Sequence, residues 1–327
     1  MILSRAPVRI SMGGGGTDLP SYYEKHGGFL LAASINKYVH IMLNKRFEES
    51  IRLSYSKTEI VNDIKEIEHR IFRESMRFVN VRKQVEIVSI ADVPSNCGLG
   101  TSSTFTVALL SALFAYKRNH KTLGELAESA CNIEINILKE PIGKQDQYAA
   151  AFGGFNSYTF HKNGEVTVEP VNISEGALME LQSNIFLFYL NKNRSASAIL
   201  KTQNKKTKEN NTEILGRLHK IKEIGLQTKK LFDRNKIDEF GELLHEHWLL
   251  KKGLSDKISD EFIDEAYEVA RKNGAIGGKV IGAGGGGFLL LYCPREKTKL
   301  LSGMKKIGLH PTWFAFEQEG VKNGFYN

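Results

Sequence analysis

A chain of 327 residues is long for a single core, which sets an expectation of one large domain or two closely joined ones. With 41% hydrophobic and 25% charged residues the composition is that of a globular protein, and no apolar run reaches the roughly 20 residues a bilayer crossing needs. The net charge of +8 suits either nucleic acid or a small acidic substrate, but the basic stretch KTQNKKTKE (201–209) has no interleaved aromatic and reads as a solvated face.

Cys97, Cys131 and Cys293 are widely spaced and give neither a disulfide framework nor metal-ligand spacing. The start, MILSRAPVRISMGGGG, places arginines where a signal core would lie, so a cytoplasmic protein acting on small molecules is expected, with no membrane or nucleic-acid partner. Nothing in the sequence sets the oligomeric state.

Short alternating runs such as YVHIMLNKRF and KQVEIVSIADV predict strands over 1–60 and 78–93. From about 102 the pattern becomes helical. TFTVALLSALFAY is apolar on every face and reads as a buried helix. Thr122 with Glu125 three residues on is a capping-box signature and predicts a helix over 123–139. AAAFGGFNSYTF ends that region in a Gly-Gly turn followed by a strand. NIFLFYLNKN reads as another strand, succeeded by polar helices from about 196 to 252. A helix capped by Ser259 then stops at Gly274. GGKVIGAGGGGFLLLYC closes the pattern as strand, glycine loop, strand. The class is mixed α and β.

Glycines cluster at 13–16, at 98–100 and at 282–287. A glycine loop that opens into a helix presents unpaired backbone N–H groups at the positive end of a helix dipole, which suits a phosphate. PSNCGLGTSS (94–103) has that form without being a Walker A or dinucleotide motif. Ser102 and Ser103 could cap the helix or reach a metal ion on the phosphates. Glu134 shares the apolar face of the 123–139 helix with Leu126, Ala127, Ala130, Ile133, Ile137 and Leu138, a costly place for a carboxylate unless it is paired or holds a cation. It is therefore a candidate Mg²⁺ ligand or the partner of a buried Arg or Lys. Asp146, between Gln145 and Gln147, could take a proton from a hydroxylated substrate or simply cap the helical turn that follows. His245 and His247 project about 200° apart on a helix and cannot share one ion; they are expected at a polar face or core edge.

Taken together, RAPVRISMGGGGTD (5–18), PSNCGLGTSS (94–103) and KVIGAGGGGFLLL (279–291) resemble, in order, the three signatures of the GHMP kinases. Thr101 stands where the second signature usually has a serine. The resemblance implies a two-domain α+β fold, with an N-terminal GHMP kinase domain over 1–180 and a ferredoxin-like C-terminal GHMP kinase domain over 181–327. It implies an ATP- and Mg²⁺-dependent sugar kinase. Pro94, Gly98, Leu99, Gly100, Thr101, Ser102 and Ser103 would bind ATP, Ser103 and Glu134 the metal. Asp146 would be the general base, with Arg9 stabilising it or the incoming oxygen.

Where galactokinases read Gly-Glu-His-Thr-Asp, this chain reads GGGGTD, and with GKQDQYAAAFGG that is most similar to the bacterial D-glycero-D-manno-heptose 7-phosphate kinases. The resemblance implies phosphorylation of an anomeric hydroxyl on a sugar phosphate. Gly13, Gly14, Gly15, Gly16, Thr17, Asp18 and Gln145 would line the sugar site, and Gly284, Gly285 and Gly286 would close over it. A second phosphate calls for a cation, for which Lys144 and Arg194 are candidates. The alternatives are a kinase of an unphosphorylated sugar, as in L-fucokinases, and a sugar and ATP sensor without turnover.

Overall fold

The computed structural model describes residues 1–192 and 196–326. The chain runs β1 (Ile2–Gly13), α1 (Pro20–His26), β2 (Gly28–Lys45), β3 (Ile51–Ser54), β4 (Thr58–Val61), α2 (Arg70–Val79), β5 (Val85–Ala91), α3 (Thr101–Tyr116), α4 (Leu123–Cys131), α5 (Gln145–Phe152), β6 (Phe155–Phe160) and β7 (Val166–Pro170). It continues through α6 (Glu175–Asn184), β8 (Ile185–Tyr189), α7 (Ala196–Lys208), α8 (Thr212–Asp233), α9 (Phe240–Lys252), α10 (Glu261–Lys272), β9 (Gly277–Val280), β10 (Phe288–Tyr292), α11 (Lys297–Lys306), β11 (Pro311–Thr312) and β12 (Lys322–Phe325).

Two sheets organise these elements. The first has the order β12-β1-β2-β5-β3-β4, with β6 and β7 branching from β2. The long β2 makes this branching possible, pairing its first part with β6 and its second with β5. The second sheet is antiparallel, in the order β11-β8-β10-β9. Its strands follow a β-α-β-β-α-β course, with the helices α7–α10 in the first crossover and α11 in the second, which is the ferredoxin-like arrangement.

Strand alternation sorts side chains into layers. Ile185 and Leu187 of β8 and Phe288, Leu290 and Tyr292 of β10 join Val8, Ile10 and Met12 of β1 in a middle core that both sheets share. The opposite face of the second sheet, through Phe186, Phe188, Leu289 and Leu291, packs under α8–α11. The apolar α3 is buried along nearly its whole length, packed against β1 and β2 with α2, α4 and α5 around it.

Two local expectations change. The helix over 123–139 is capped by Thr122 and Glu125 as expected, but α4 gives way at Asn132 to a single π-helical stretch, Asn132–Ile137. The cap of α10 is Asp260, whose side chain accepts from the Ile263 N–H at 3.0 Å, rather than Ser259.

Candidate active site

Glycine clusters and the start of α3 meet around a cavity of about 390 Å³. Its walls come from β1, the loop before α3, the π-helical stretch, the start of α5, α7, α9 and the end of β9.

Arg9 enters from β1 just after a register shift between Pro7 and Val8. Such an irregularity re-aims a strand's side chains. The Arg9 guanidinium is buried, donates to the Gly98 carbonyl at 2.8 Å and forms an ion pair with Asp146 at the start of α5. Its backbone N–H donates to the Leu99 carbonyl at 3.2 Å. Base candidate, basic partner and phosphate-loop backbone are thus joined through one side chain.

The loop itself turns into α3 at Gly100, which has φ +81° and caps the helix without a side chain. Ser102 and Ser103 are accordingly not N-caps. Thr101, Ser102, Ser103, Gly98 and Gly100 all line the cavity, whereas Pro94 and Leu99 do not. Leu99 is buried in the middle core.

Glu134 reaches the cavity from the π-helical stretch and is only 2% exposed. π-helical turns are over-represented at functional sites because they shift a side chain out of helical register. Among the described residues no cation pairs with it. Instead Gln147 Nε2 donates both to Glu134 Oε2 at 2.6 Å and to Ser103 Oγ at 3.1 Å. Burial raises the Glu134 carboxyl to about 7 against these hydrogen bonds, with Asp146 adding repulsion. Gln147 Oε1 is buried and, among the described residues, without a hydrogen-bond partner. A buried carboxylate, a hydroxyl and an orphaned amide oxygen on one spot are the donor set of a hard divalent cation. No cluster of three His, Cys, Asp or Glu side chains able to hold a metal occurs among the described residues, so a cation here would complete its shell with phosphate and water.

Asp18 is fully buried and accepts from the Gly16 N–H at 3.1 Å, the Gln145 N–H at 3.3 Å and Gln145 Nε2 at 3.1 Å. Burial, then the neighbouring Asp146, raise its carboxyl to about 6 in spite of these bonds. Gly15, Gly16 and Gln145 line the cavity, whereas Asp18, expected at the sugar site, lies behind that wall. Gly13 and Gly14 instead lie against Gly225 of α8 and the Phe29 carbonyl, and Thr17 is a buried bracket between Gly14 and Phe29. From α7, Gln203 donates to the Gly16 carbonyl at 3.1 Å and lines the same wall.

Further expected contacts are placed differently. Lys144 is not on the cavity wall; its ammonium is held by Glu128 at 2.7 Å and by the Gly164 carbonyl at 2.7 Å. Gly284, Gly285 and Gly286 also lie off the wall, packed against Ile258 and the Lys192 carbonyl. The third motif touches the cavity through Lys279, Gly282 and Ala283. Gly282 earns its residue type by close approach: a Cβ on it would sit 2.6 Å from the Gly98 carbonyl oxygen, and one on Gly98 would sit 2.4 Å from that of Ile281. Arg194 lies outside the described residues.

Sequence reasoning missed Lys251, Lys279 and His247, which line the cavity on the Arg9 side. His247 is buried, not at a polar face or core edge. A lysine flanked by Gly278 and Val280 in a strand covered on both faces was the available signal.

Residues 53–154 match the model of the GHMP kinases N terminal domain, and residues 228–307 that of the GHMP kinases C terminal. The chain is 33% identical to the D-glycero-alpha-D-manno-heptose 7-phosphate kinase of Campylobacter jejuni, an alignment that covers 98% of each chain. It is 23% identical to the bifunctional fucokinase/GDP-fucose pyrophosphorylase of Arabidopsis thaliana over 90% of this chain and 30% of that protein. A crystal structure of a D-glycero-D-manno-heptose 1-phosphate kinase from Bacteroides thetaiotaomicron superposes over the full length of both chains with a TM-score of 0.82 at 27% identity. No helix among the described residues is long and apolar enough to cross a membrane. Three ordered motifs, both domain matches and end-to-end relatives agree: the chain belongs to the GHMP kinases and is an ATP-dependent sugar kinase.

Proposed function

We propose that the protein transfers the terminal phosphoryl group of ATP to the anomeric hydroxyl of D-glycero-D-manno-heptose 7-phosphate, giving the 1,7-bisphosphate for GDP-heptose and surface polysaccharide. The observation that carries the reading is the 33% identity, over nearly all of both chains, to a kinase named for that substrate. The name of the Bacteroides relative also joins a heptose and a phosphate, at position 1 rather than 7.

The site supports this chemistry residue by residue. The N–H groups at the start of α3 would hold the nucleotide phosphates at the positive end of the helix. Ser103 and Glu134 would hold Mg²⁺, which when bound neutralises charge on the phosphates. Asp18, through its hydrogen bonds to Gly16 and Gln145, would hold those two wall residues toward the sugar hydroxyls. Asp146 would take the proton of the anomeric hydroxyl as its oxygen forms the new bond to phosphorus and the bond to the ADP oxygen breaks. Arg9, already on Asp146 and Gly98, would fix the base beside the phosphate loop, and such positioning matters more than base strength for phosphoryl transfer.

The test is ADP release with phosphorus NMR of the product across two acceptor sets. One holds the heptose 7-phosphate and hexose 6-phosphates, the other free fucose, galactose, mannose and arabinose. A new anomeric phosphate on the heptose 7-phosphate is the expected result. Turnover confined to a free sugar would replace the acceptor and favour the fucokinase-like alternative.

A further inference from the structure

On the Arg9 side of the cavity lies a group of basic side chains that the chemistry above does not use. Lys279 stands in the middle of β9 at 1% exposure, with its Nζ 3.4 Å from Nδ1 of His247, itself 2% exposed on α9. One helical turn beyond His247, Lys251 turns its ammonium inward to the carbonyls of Val280 at 2.8 Å and Gly282 at 2.5 Å. All three line the cavity with Arg9.

Among the described residues none of the three has a carboxylate partner, and the ion pair that Asp146 makes in the cleft is with Arg9. Ammonium groups taken out of water without a counter-charge are strongly disfavoured. Burial and the mutual repulsion of the group lower Lys279 and His247 well below their ordinary range, and burial, then Arg9, lowers Lys251 to about 7. Two unpaired lysines on different elements, facing one cavity, are what an anion brought by a ligand would neutralise.

We propose that Lys279 and Lys251 form an oxyanion subsite that receives a phosphoryl group inside the cleft. The assignment rests on the reading of this cavity as a kinase site for a phosphorylated sugar. Two sources fit the same chemistry: the phosphate that the acceptor already carries, and the terminal phosphoryl of the nucleotide.

Inorganic phosphate, titrated calorimetrically into the full chain, tests it. Wild type is compared with Lys279→Met, Lys279→Arg and Lys251→Met, each checked for folding by circular dichroism; because the two lysines lie on different elements, either variant alone is informative. The expected result is a Kd raised at least about tenfold in the methionine variants and recovered in Lys279→Arg. Repeating the titration in protein saturated with Mg²⁺ and a non-hydrolysable ATP analogue separates the sources. Binding that persists assigns the subsite to the acceptor's phosphate, and binding that vanishes assigns it to the nucleotide. Equal Kd values in wild type and both methionine variants, or no binding by wild type, would overturn the proposal. The readout is phosphate itself, so failure of the heptose assay leaves this result standing.

Discussion

Arg9 joins Asp146 and Gly98 at once, one guanidinium nitrogen on the carboxylate and the other on the loop carbonyl. The carboxylate therefore keeps its place relative to the phosphate loop even before any ligand arrives. Asp146→Asn keeps that shape and removes the proton acceptor. It is expected to lower kcat by about 10²–10⁴ while nucleotide affinity, read by calorimetry, stays within about threefold. Near-normal kcat would remove Asp146 as the base.

Glu134 gives a pH signature. Its carboxyl is raised from 4.5 to about 7 in the fold, so between those values the folded state binds the proton that the unfolded chain has lost. Stability of the metal-free protein is then expected to fall as pH rises from about 4.5 to about 7, by up to roughly 3 kcal/mol. Asp18, raised from 3.8 to about 6, adds a slope of the same sign at lower pH. Thermal melts across this window should show the decline. Glu134→Gln should flatten its upper part, and Mg²⁺ with nucleotide should do the same for wild type. A melting temperature that climbs steadily to pH 7 in the metal-free protein would contradict the assignment.

Backbone lies against backbone where Gly282 meets Gly98. Gly282→Ala places a methyl within 2.6 Å of a carbonyl oxygen at a residue with φ +73°, and neither neighbour has a side chain that can move aside. A loss of more than about 2 kcal/mol in stability is expected, with activity falling further as the phosphate loop is pushed away. Urea melts and kcat on the same variant check both parts.

Lys144 distinguishes a structural from a substrate role. Its ammonium, with the Tyr148 hydroxyl, binds Glu128 away from the cavity wall. Lys144→Met is expected to cost about 1 kcal/mol of stability and to leave the KM of a phosphorylated acceptor within about twofold. A KM rising tenfold with unchanged stability would return Lys144 to the substrate site.

Much of this arrangement was legible beforehand, for physical reasons that differ by residue. The capping box at Thr122 and the all-apolar run of α3 are local patterns, and both appear where expected. Glu134 was visible because a carboxylate on an apolar stripe is anomalous, although the π-helical stretch that delivers it has no signature of its own. The glycine clusters announced tight backbone without saying against what. Which of them face a ligand depends on contacts between distant segments, and Gly284, Gly285 and Gly286 turn out to pack on Ile258 and Lys192. Lys251, Lys279 and His247 lie on two elements far apart in sequence, so their meeting could not be read from either.

The middle core has a further meaning for how such a chain can change over generations. Val8, Ile10 and Met12 of one sheet and Leu187, Leu290 and Tyr292 of the other fill a single layer. Each half also has a core of its own, around α3 and under α8–α11, yet each would expose an apolar face if it were separated from the other. The two halves are consequently poor units of exchange: a foreign second half would have to match the packing of β1 as well as the glycine seam.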